Sequence, residues 1–158
     1  MPSRLAPIVL DTHITLDLFV YADPLQVRWL GALQAGTLQW LATPAMRDEL
    51  ARVLDYPQIA KRRLANGQLA QDILAQMDEW AQFVAPAPTA PHACQDPDDQ
   101  IFIDLAYHYQ CPIASKDKAV LAACSRLKIE SWQTPPAHTA LPPNRPTKSQ
   151  NHRANQSP

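Results

Sequence analysis

Short apolar runs alternate with segments of helical periodicity along residues 1–134, and this alternation constrains the fold more than any other feature. The apolar runs predict strands at residues 8–10, 38–42, 111–115 and 128–132, with a weaker candidate at residues 83–84. The segments between them carry helix signals, such as Thr43-Pro44 at a helix start and Asn66-Gly67 between two helices. Strands that alternate with helices predict an α/β sandwich with a mainly parallel sheet.

Motif content excludes several classes of protein. The chain has three glycines and neither GxGxxG nor GxxxxGK[ST], which argues against a Rossmann dinucleotide site and a P-loop. No apolar run reaches the ~18 residues of a membrane span, and the N-terminus has no signal-peptide pattern. Cys94, Cys111 and Cys124 lack CxxC spacing, which is typical of buried, reduced thiols. We therefore expect a cytoplasmic protein that contacts no membrane.

The last 24 residues differ in composition from the rest of the chain. Residues 135–158 contain six prolines and one leucine, and they have too few apolar side chains to form a core. Their three basic residues and no acidic ones give a charge of +3, against −4 for residues 1–134. The sequence thus predicts an acidic domain at 1–134 and a disordered basic tail at 135–158. The tail either helps to hold a polyanion such as RNA or is a solvated extension.

Acidic residues follow two of the predicted strands. Asp11 closes the first strand, and Asp117 comes shortly after the strand at residues 111–115. Each is also well placed to cap the helix that comes next, which needs no functional explanation. Because ligand sites of parallel sheets lie outside the carboxyl ends of the strands, we expect these carboxylates to share one edge of the sheet.

Glu49 lies at the border of the apolar stripe of the helix predicted to begin at Pro44. A carboxylate in that position needs water, a partner such as Arg47 or Arg52, or a bound cation, because burying an isolated charge is costly. The sequence leaves the boundary role and the functional role of Glu49 open.

Three carboxylates fall within four positions at Asp96, Asp98 and Asp99. Asp96 with Pro97 is typical of a helix start, and Asp99 suits a capping box. Capping accounts for one or two of these acids, and the repulsion among three would be relieved by a bound cation.

An acidic cluster of this kind favours a hard divalent cation. Mg²⁺ and Mn²⁺ prefer oxygen ligands, and one or two such ions assist the cleavage of phosphodiester bonds. Other chemistry has less support, since GxSxG is absent and the zinc-like fragment His92-Ala-Cys94 has no second pair.

In their order and spacing these segments resemble the PIN-domain family of metal-dependent ribonucleases, and most of all its toxin components of toxin–antitoxin systems. The likeness covers residues 6–133 and is carried by residues 9–12, 46–54, 96–106 and 114–118. It implies a three-layer α/β/α fold, a pocket for Mg²⁺ or Mn²⁺, and hydrolysis of RNA. Carried over by position, the catalytic and metal-binding residues would be Asp11, Glu49, Asp99 and Asp117.

The resemblance also assigns supporting positions. Asp99 is preferred to Asp98 because it lies seven residues before the helix alanine Ala106, as in the family pattern. Asp96 and Asp98 would then assist from the outer shell of the site. Ser115 matches a position where the family often has a hydroxyl group near the metal.

His13 departs from the family pattern, which usually has asparagine two residues after the first aspartate. It is either a substituted structural polar residue or an additional ligand. The dense basic run Lys61-Arg62-Arg63 either contacts the RNA backbone or forms a solvated helix face.

The sequence therefore predicts an endoribonuclease, with an antitoxin partner and a homodimer implied by the resemblance. The alternative is a non-catalytic module whose acidic patch binds a basic protein segment. A phosphatase of the haloacid dehalogenase type also begins with a strand that ends in aspartate. Such an enzyme expects a second aspartate at the position of His13.

Overall fold

A computed structural model describes residues 6–136 of the chain. Within these residues the strands are β1 (Ala6–Leu10), β2 (Leu38–Ala42), β3 (Ala81–Phe83), β4 (Ile113–Ala114) and β5 (Ser131–Trp132). The helices are α1 (Thr12–Phe19), α2 (Val27–Ala35), α3 (Pro44–Val53), α4 (Pro57–Ala65), α5 (Ala70–Trp80), α6 (Gln100–Tyr109) and α7 (Lys118–Leu127). None of these helices is long and apolar enough to cross a membrane.

The strands form one sheet in the order β3-β2-β1-β4-β5, and every neighbouring pair is parallel. Strand β1 lies at the centre, with Ile8 opposite Trp40 of β2 and Leu10 opposite Ala114 of β4. Helix α2 packs on β2 and helix α6 packs on β1. The predicted α/β/α sandwich with a parallel sheet is confirmed. The strand order reverses between β1 and β4, which is where open parallel sheets place their ligand sites.

The apolar patterns behave as predicted. Ile8, Val9 and Leu10 are at most 2% exposed, as a central strand covered on both faces requires. On α3 the stripe that includes Met46 and Leu50 is buried, and Asp48 on the opposite side is exposed. Helix α3 therefore presents its polar side to solvent and leaves Glu49 at the border.

Strands β4 and β5 are shorter than the predicted 111–115 and 128–132. Lys128 has a φ of 58° and ends α7 in the left-handed conformation, so it belongs to the helix terminus and not to a strand. The weak strand predicted at residues 83–84 exists as β3, which follows α5 without a loop and forms one edge of the sheet. Gly67, with a φ of 72°, makes the predicted break between α4 and α5.

The three cysteines are buried and free, which confirms that prediction. Burial raises the pKa of the Cys111 thiol to about 11 and that of Cys124 to about 12. The tail predicted to be disordered lies outside the described residues from position 137 onward.

Candidate active site

A cleft of about 310 Å³ opens at the carboxyl ends of β1 and β4, and six acidic side chains line it. We call it the acidic cleft, and its acids are Asp11, Glu49, Asp96, Asp98, Asp99 and Asp117. His13 is the one basic residue among the described residues that line it. The fold thus brings together all four residues that the sequence predicts for the pocket.

Asp11 joins the central strand to the first helix. It is 4% exposed, and its Oδ1 accepts a hydrogen bond of 3.0 Å from the backbone N–H of Ile14. Burial raises the pKa of the Asp11 carboxyl, and hydrogen bonds from Ser115 and Ile14 offset part of that rise. The capping role considered from the sequence is therefore real, and the same side chain still lines the cleft.

Ser115 connects the acids that follow β1 and β4. It is fully buried, its side chain is hydrogen-bonded to Asp11, and its Oγ accepts the backbone N–H of Asp117 at 3.0 Å. Asp117 in turn caps α7, accepting the N–H of Ala119 at 2.7 Å and that of Val120 at 3.4 Å. The hydroxyl thus links the carboxylate of Asp11 to the backbone at Asp117, across the ends of two adjacent strands.

Glu49 enters the cleft from α3. It is half-buried, and its Oε1 is shielded from solvent with no hydrogen-bond partner. Burial raises the pKa of Glu49, with Asp98 and Asp11 adding to the rise while Arg52 and a hydrogen bond from Thr12 oppose it. The structure does not pair Glu49 with Arg47, whose guanidinium binds Asp78.

Asp99 enters from the start of α6. Asp96 caps the short 3₁₀ turn at Pro97–Asp99 by accepting the N–H of Asp98 at 3.0 Å, whereas Asp99 makes no capping hydrogen bond. The Oδ2 of Asp99 is shielded from solvent and has no partner. Burial, followed by the charges of Asp117, Asp96, Asp11 and Glu49, raises the pKa of Asp99 to about 7. The capping-box role considered for Asp99 is therefore wrong.

Asp99 thus differs from its neighbours in the sequence, since Asp96 and Asp98 are exposed. A carboxyl that is half-buried among four other acids and assists no helix start does not serve the fold. The chain also matches a known protein family. A family model for the PIN domain matches residues 7–135.

The chain belongs to the PIN-domain family. PIN domains are generally nucleases, they typically use divalent metal ions, and the family points to RNA as the substrate. A comparison with curated proteins finds no match.

The chemistry of the donors in this PIN domain fits a hard cation. All of the acids that line the cleft offer carboxylate oxygens, and two of those oxygens, Glu49 Oε1 and Asp99 Oδ2, are buried and lack a partner. As they stand, no three histidine, cysteine or acidic side chains in residues 6–136 are grouped closely enough to hold an ion. Mg²⁺ is commonly held by one or two carboxylates and keeps several waters, and the cleft meets that smaller requirement.

A buried clamp that sequence reasoning missed holds the loop before Asp99. Asp104 Oδ1 accepts the N–H of Ala90 at 2.8 Å and the side-chain amide of Gln100 at 2.7 Å. The Oε1 of Gln100 then accepts the N–H of Cys94 at 2.6 Å. The signal in the sequence is the i, i+4 spacing of Gln100 and Asp104 on one helix.

The basic run of α4 divides between the core and the surface. Arg63 is buried, and its guanidinium donates to the carbonyl of Leu54 at 3.2 and 3.3 Å and to that of Gln68 at 3.1 Å. Arg63 therefore serves the fold and does not reach an RNA backbone. Lys61 and Arg62 are exposed, so an RNA contact remains a prediction for these two.

His13 stands exposed where the acidic cleft meets a second cavity, and it lines both. No hydrogen bond is shown between the His13 side chain and the described residues. A ligand role for His13 at the cleft therefore stays a prediction. Tyr56 and Gln58, at the start of α4, also line the cleft, and no motif marks them in the sequence.

Proposed function

We propose that this PIN domain is an endoribonuclease that hydrolyses RNA phosphodiester bonds with the help of Mg²⁺ or Mn²⁺. One observation carries the proposal. Glu49 Oε1 and Asp99 Oδ2 are buried carboxylate oxygens without partners, and both side chains line the same cleft. Leaving buried acceptors unsatisfied costs stability, and a cation is the ligand that removes this cost.

Three carboxylates are positioned to hold the cation in this proposal. Asp11, Asp99 and Asp117 would be its ligands, and Glu49 would be a further ligand or a base that orients the attacking water. When bound, a divalent cation supplies positive charge to the scissile phosphate and to the water that attacks it. Ser115 holds Asp11 and Asp117 in register through its two hydrogen bonds.

The electrostatics of the cleft make substrate binding depend on the cation. The six acids repel a phosphodiester, and the described lining residues contribute no lysine or arginine to offset them. Lys61 and Arg62, exposed on α4, are the proposed contacts to the RNA backbone away from the cleft. Asp96 and Asp98 are the proposed outer residues of the site, since the charge of Asp96 acts on Asp99 and that of Asp98 acts on Glu49.

The proposal extends to a biological role. The motifs in residues 9–12, 46–54, 96–106 and 114–118 are similar to those of PIN toxin components, which supports a cytoplasmic toxin that pairs with an antitoxin and forms a homodimer. An antitoxin segment with basic side chains would complement the charge of the acidic cleft.

The deciding experiment is cleavage of a labelled single-stranded RNA by the purified full-length chain with Mg²⁺, with Mn²⁺, or with EDTA. We expect cleavage with metal and none with EDTA. Asp99→Asn should lower the rate by more than about 100-fold, because loss of a ligand costs at least as much as loss of a residue that orients one.

Asp48→Asn is the matched control for that variant. Asp48 is an exposed acid on the outer side of α3, so its neutralisation should leave the cleavage rate unchanged. Cleavage at the wild-type rate in Asp99→Asn would exclude the assigned site.

The alternative function is a non-catalytic module whose acidic patch binds a basic protein segment. The charge of the cleft favours this alternative, since its described lining has six acids and no lysine or arginine, which complements a basic segment. Metal-independent binding of a basic peptide, with no RNA turnover by folded protein, would establish it.

A further inference from the structure

A second cavity of about 440 Å³ adjoins the acidic cleft, and we call it the side cavity. The two share five lining residues: His13, Leu16, Gln58, Ile59 and Asp117. A molecule that extends out of the acidic cleft past His13 therefore enters the side cavity directly. Its size lies within the range of ordinary small-molecule sites.

The lining of the side cavity differs in character from that of the acidic cleft. Leu16, Tyr21 and Ile59 give it an apolar and aromatic wall, and Gln58 places an amide among them. A mostly apolar cavity with a few polar groups takes planar, partly polar ligands well. A nucleobase has this composition, with two apolar faces and a rim of hydrogen-bonding groups.

The ring of Tyr21 is held by a cation–π contact. The guanidinium of Arg62 lies over its ring, 5.2 Å from the centroid. This contact covers one face of the ring and restrains its orientation. Arg62 itself remains exposed, so it anchors the ring and still presents positive charge to solvent.

Lys116 adds a cation to the wall of the side cavity. Its ammonium lies 2.6 Å from Asp17 and 3.9 Å from Asp23, and its side chain is 44% exposed. The two acids hold the ammonium at the wall of the side cavity without burying it. A phosphate that leaves the acidic cleft toward the side cavity would thus pass a fixed positive charge.

We propose that the side cavity binds the base of the nucleotide next to the scissile phosphate, with the ring of Tyr21 as its stacking surface and Gln58 at its edge. The inference rests on the proposed ribonuclease function and deepens it by naming a subsite for the substrate. Base stacking on an aromatic side chain tolerates different bases, and its loss weakens binding by about 10-fold or more.

The first test measures binding without turnover. A single-stranded oligoribonucleotide that carries one 2-aminopurine is titrated with full-length Asp99→Asn protein, and the fluorescence of the base is followed. We expect quenching on binding, and a roughly 10-fold weaker affinity when Tyr21→Leu is added. Tyr21→Phe should keep the affinity, because it keeps the ring.

The matched control is Tyr109→Leu, which removes an exposed tyrosine from the far end of α6. It should leave both quenching and affinity unchanged. Equal affinity for Tyr21→Leu and Tyr109→Leu would overturn the proposal, provided that thermal unfolding shows both variants folded.

The second test uses cleavage and an abasic substrate. The base on either side of the cleaved bond is removed in turn, and KM is measured for the wild type and for Tyr21→Leu. At one of the two positions, removing the base should raise the KM of the wild type about 10-fold. The same substrate change should leave the KM of Tyr21→Leu unaltered, because that variant already lacks the stacking surface. Independent effects of the two changes at both positions would overturn the proposal.

The two tests separate this inference from the proposed function. Tyr21-dependent quenching in a protein that cleaves no RNA supports the side cavity and contradicts the nuclease. Cleavage that is indifferent to Tyr21 and to both flanking bases supports the nuclease and overturns the side cavity. A side cavity that takes a partner's aromatic side chain instead would give no quenching with RNA, which also overturns the inference.

Discussion

The carboxylates of the acidic cleft and those of the surface ion pairs have opposite surroundings. Asp78 on α5 receives two hydrogen bonds from Arg47 of α3, at 2.7 and 2.8 Å, and this contact lowers the pKa of Asp78. No cationic side chain of residues 6–136 contributes to the pKa of Asp99, which burial among other acids raises to about 7. The fold thus supplies a cation to Asp78, whereas Glu49 Oε1 and Asp99 Oδ2 in the cleft have no hydrogen-bond partner among the described residues. The difference supports the proposal that the cleft acids bind a cation from outside the chain.

The surroundings of Asp104 are intermediate between those of Asp78 and Asp99. It is 9% exposed, and it has no ion pair among the described residues, yet its Oδ1 accepts hydrogen bonds from Ala90 and Gln100. N–H donors alone are therefore enough to accommodate a buried carboxylate here. Asp99, only five residues earlier in the chain, lacks such donors at its Oδ2.

The largest effect on stability is expected from Asp104→Ala. The substitution removes the acceptor for two hydrogen bonds and leaves the buried N–H of Ala90 unpaired. We expect a loss of about 3 kcal/mol in the free energy of unfolding, measured by urea denaturation. Asp104→Asn keeps an acceptor oxygen at the same place and should cost less than half as much. Equal losses for the two variants would mean that the charge, and not the hydrogen bonds, stabilises the clamp.

A smaller effect of opposite sign is expected from Asp99→Asn in EDTA. The wild-type Asp99 holds a proton up to pH about 7, whereas the unfolded chain releases it near pH 3.8. Between these values the folded state binds more protons than the unfolded state, so the stability of the wild type falls as pH rises. The variant lacks this penalty, and it should be more stable at pH 8 by about 1 to 2 kcal/mol, a value reduced because solvent reaches the side chain.

The extra stability of Asp99→Asn over the wild type should vanish at pH 4, and at pH 8 it should shrink when Mg²⁺ or Mn²⁺ is added. A bound cation stabilises the wild type by mass action and binds the variant less well. Chemical denaturation at both pH values, with and without metal, gives all four comparisons. A variant that is less stable than the wild type in EDTA at pH 8 would contradict the view that the cleft acids oppose folding.

Much of this fold follows from local sequence patterns. The Ile8–Leu10 run, buried on both sides, is typical of a central parallel strand, and the apolar stripe of α3 fixes which side of that helix faces the core. The ends of strands β4 and β5 do not follow from the sequence. Each strand has only two paired residues, and Lys128 adopts a left-handed backbone conformation. Both features depend on contacts between elements more than on the β-propensity of the residues.

The candidate site also follows only in part from the sequence. Asp11, Glu49 and Asp117 follow from strand ends and helix periodicity, but choosing Asp99 over Asp98 needed the family pattern, since helix periodicity alone does not separate the two. The structure shows the physical difference, because Asp99 is half-buried and Asp98 is exposed. The inward turn of Arg63 depends on the carbonyls of Leu54 and Gln68, which lie before and after α4, and no periodicity marks it. The side cavity forms between residues distant in the chain, such as Tyr21, Ile59 and Lys116, so the sequence pattern does not predict it.

The smallest effect is expected from Asp78→Asn, and it completes the comparison. Exposed ion pairs contribute little to stability, so we expect the free energy of unfolding to fall by about 0.5 kcal/mol near neutral pH. The loss should be measurable because Arg47 binds Asp78 through two hydrogen bonds. Arg47 lowers the pKa of Asp78, so this contribution is present above pH 3.8 and is lost as the pH falls through the lowered pKa. The effect of Asp99→Asn also appears as the pH rises, between pH 3.8 and about 7, but it has the opposite sign. Urea denaturation of both variants across pH 3 to 8 should therefore give stability differences of opposite sign, and added salt should weaken only that of Asp78→Asn appreciably. Stability differences of the same sign in the two variants would contradict the view that Asp78 stabilises the fold and Asp99 opposes it.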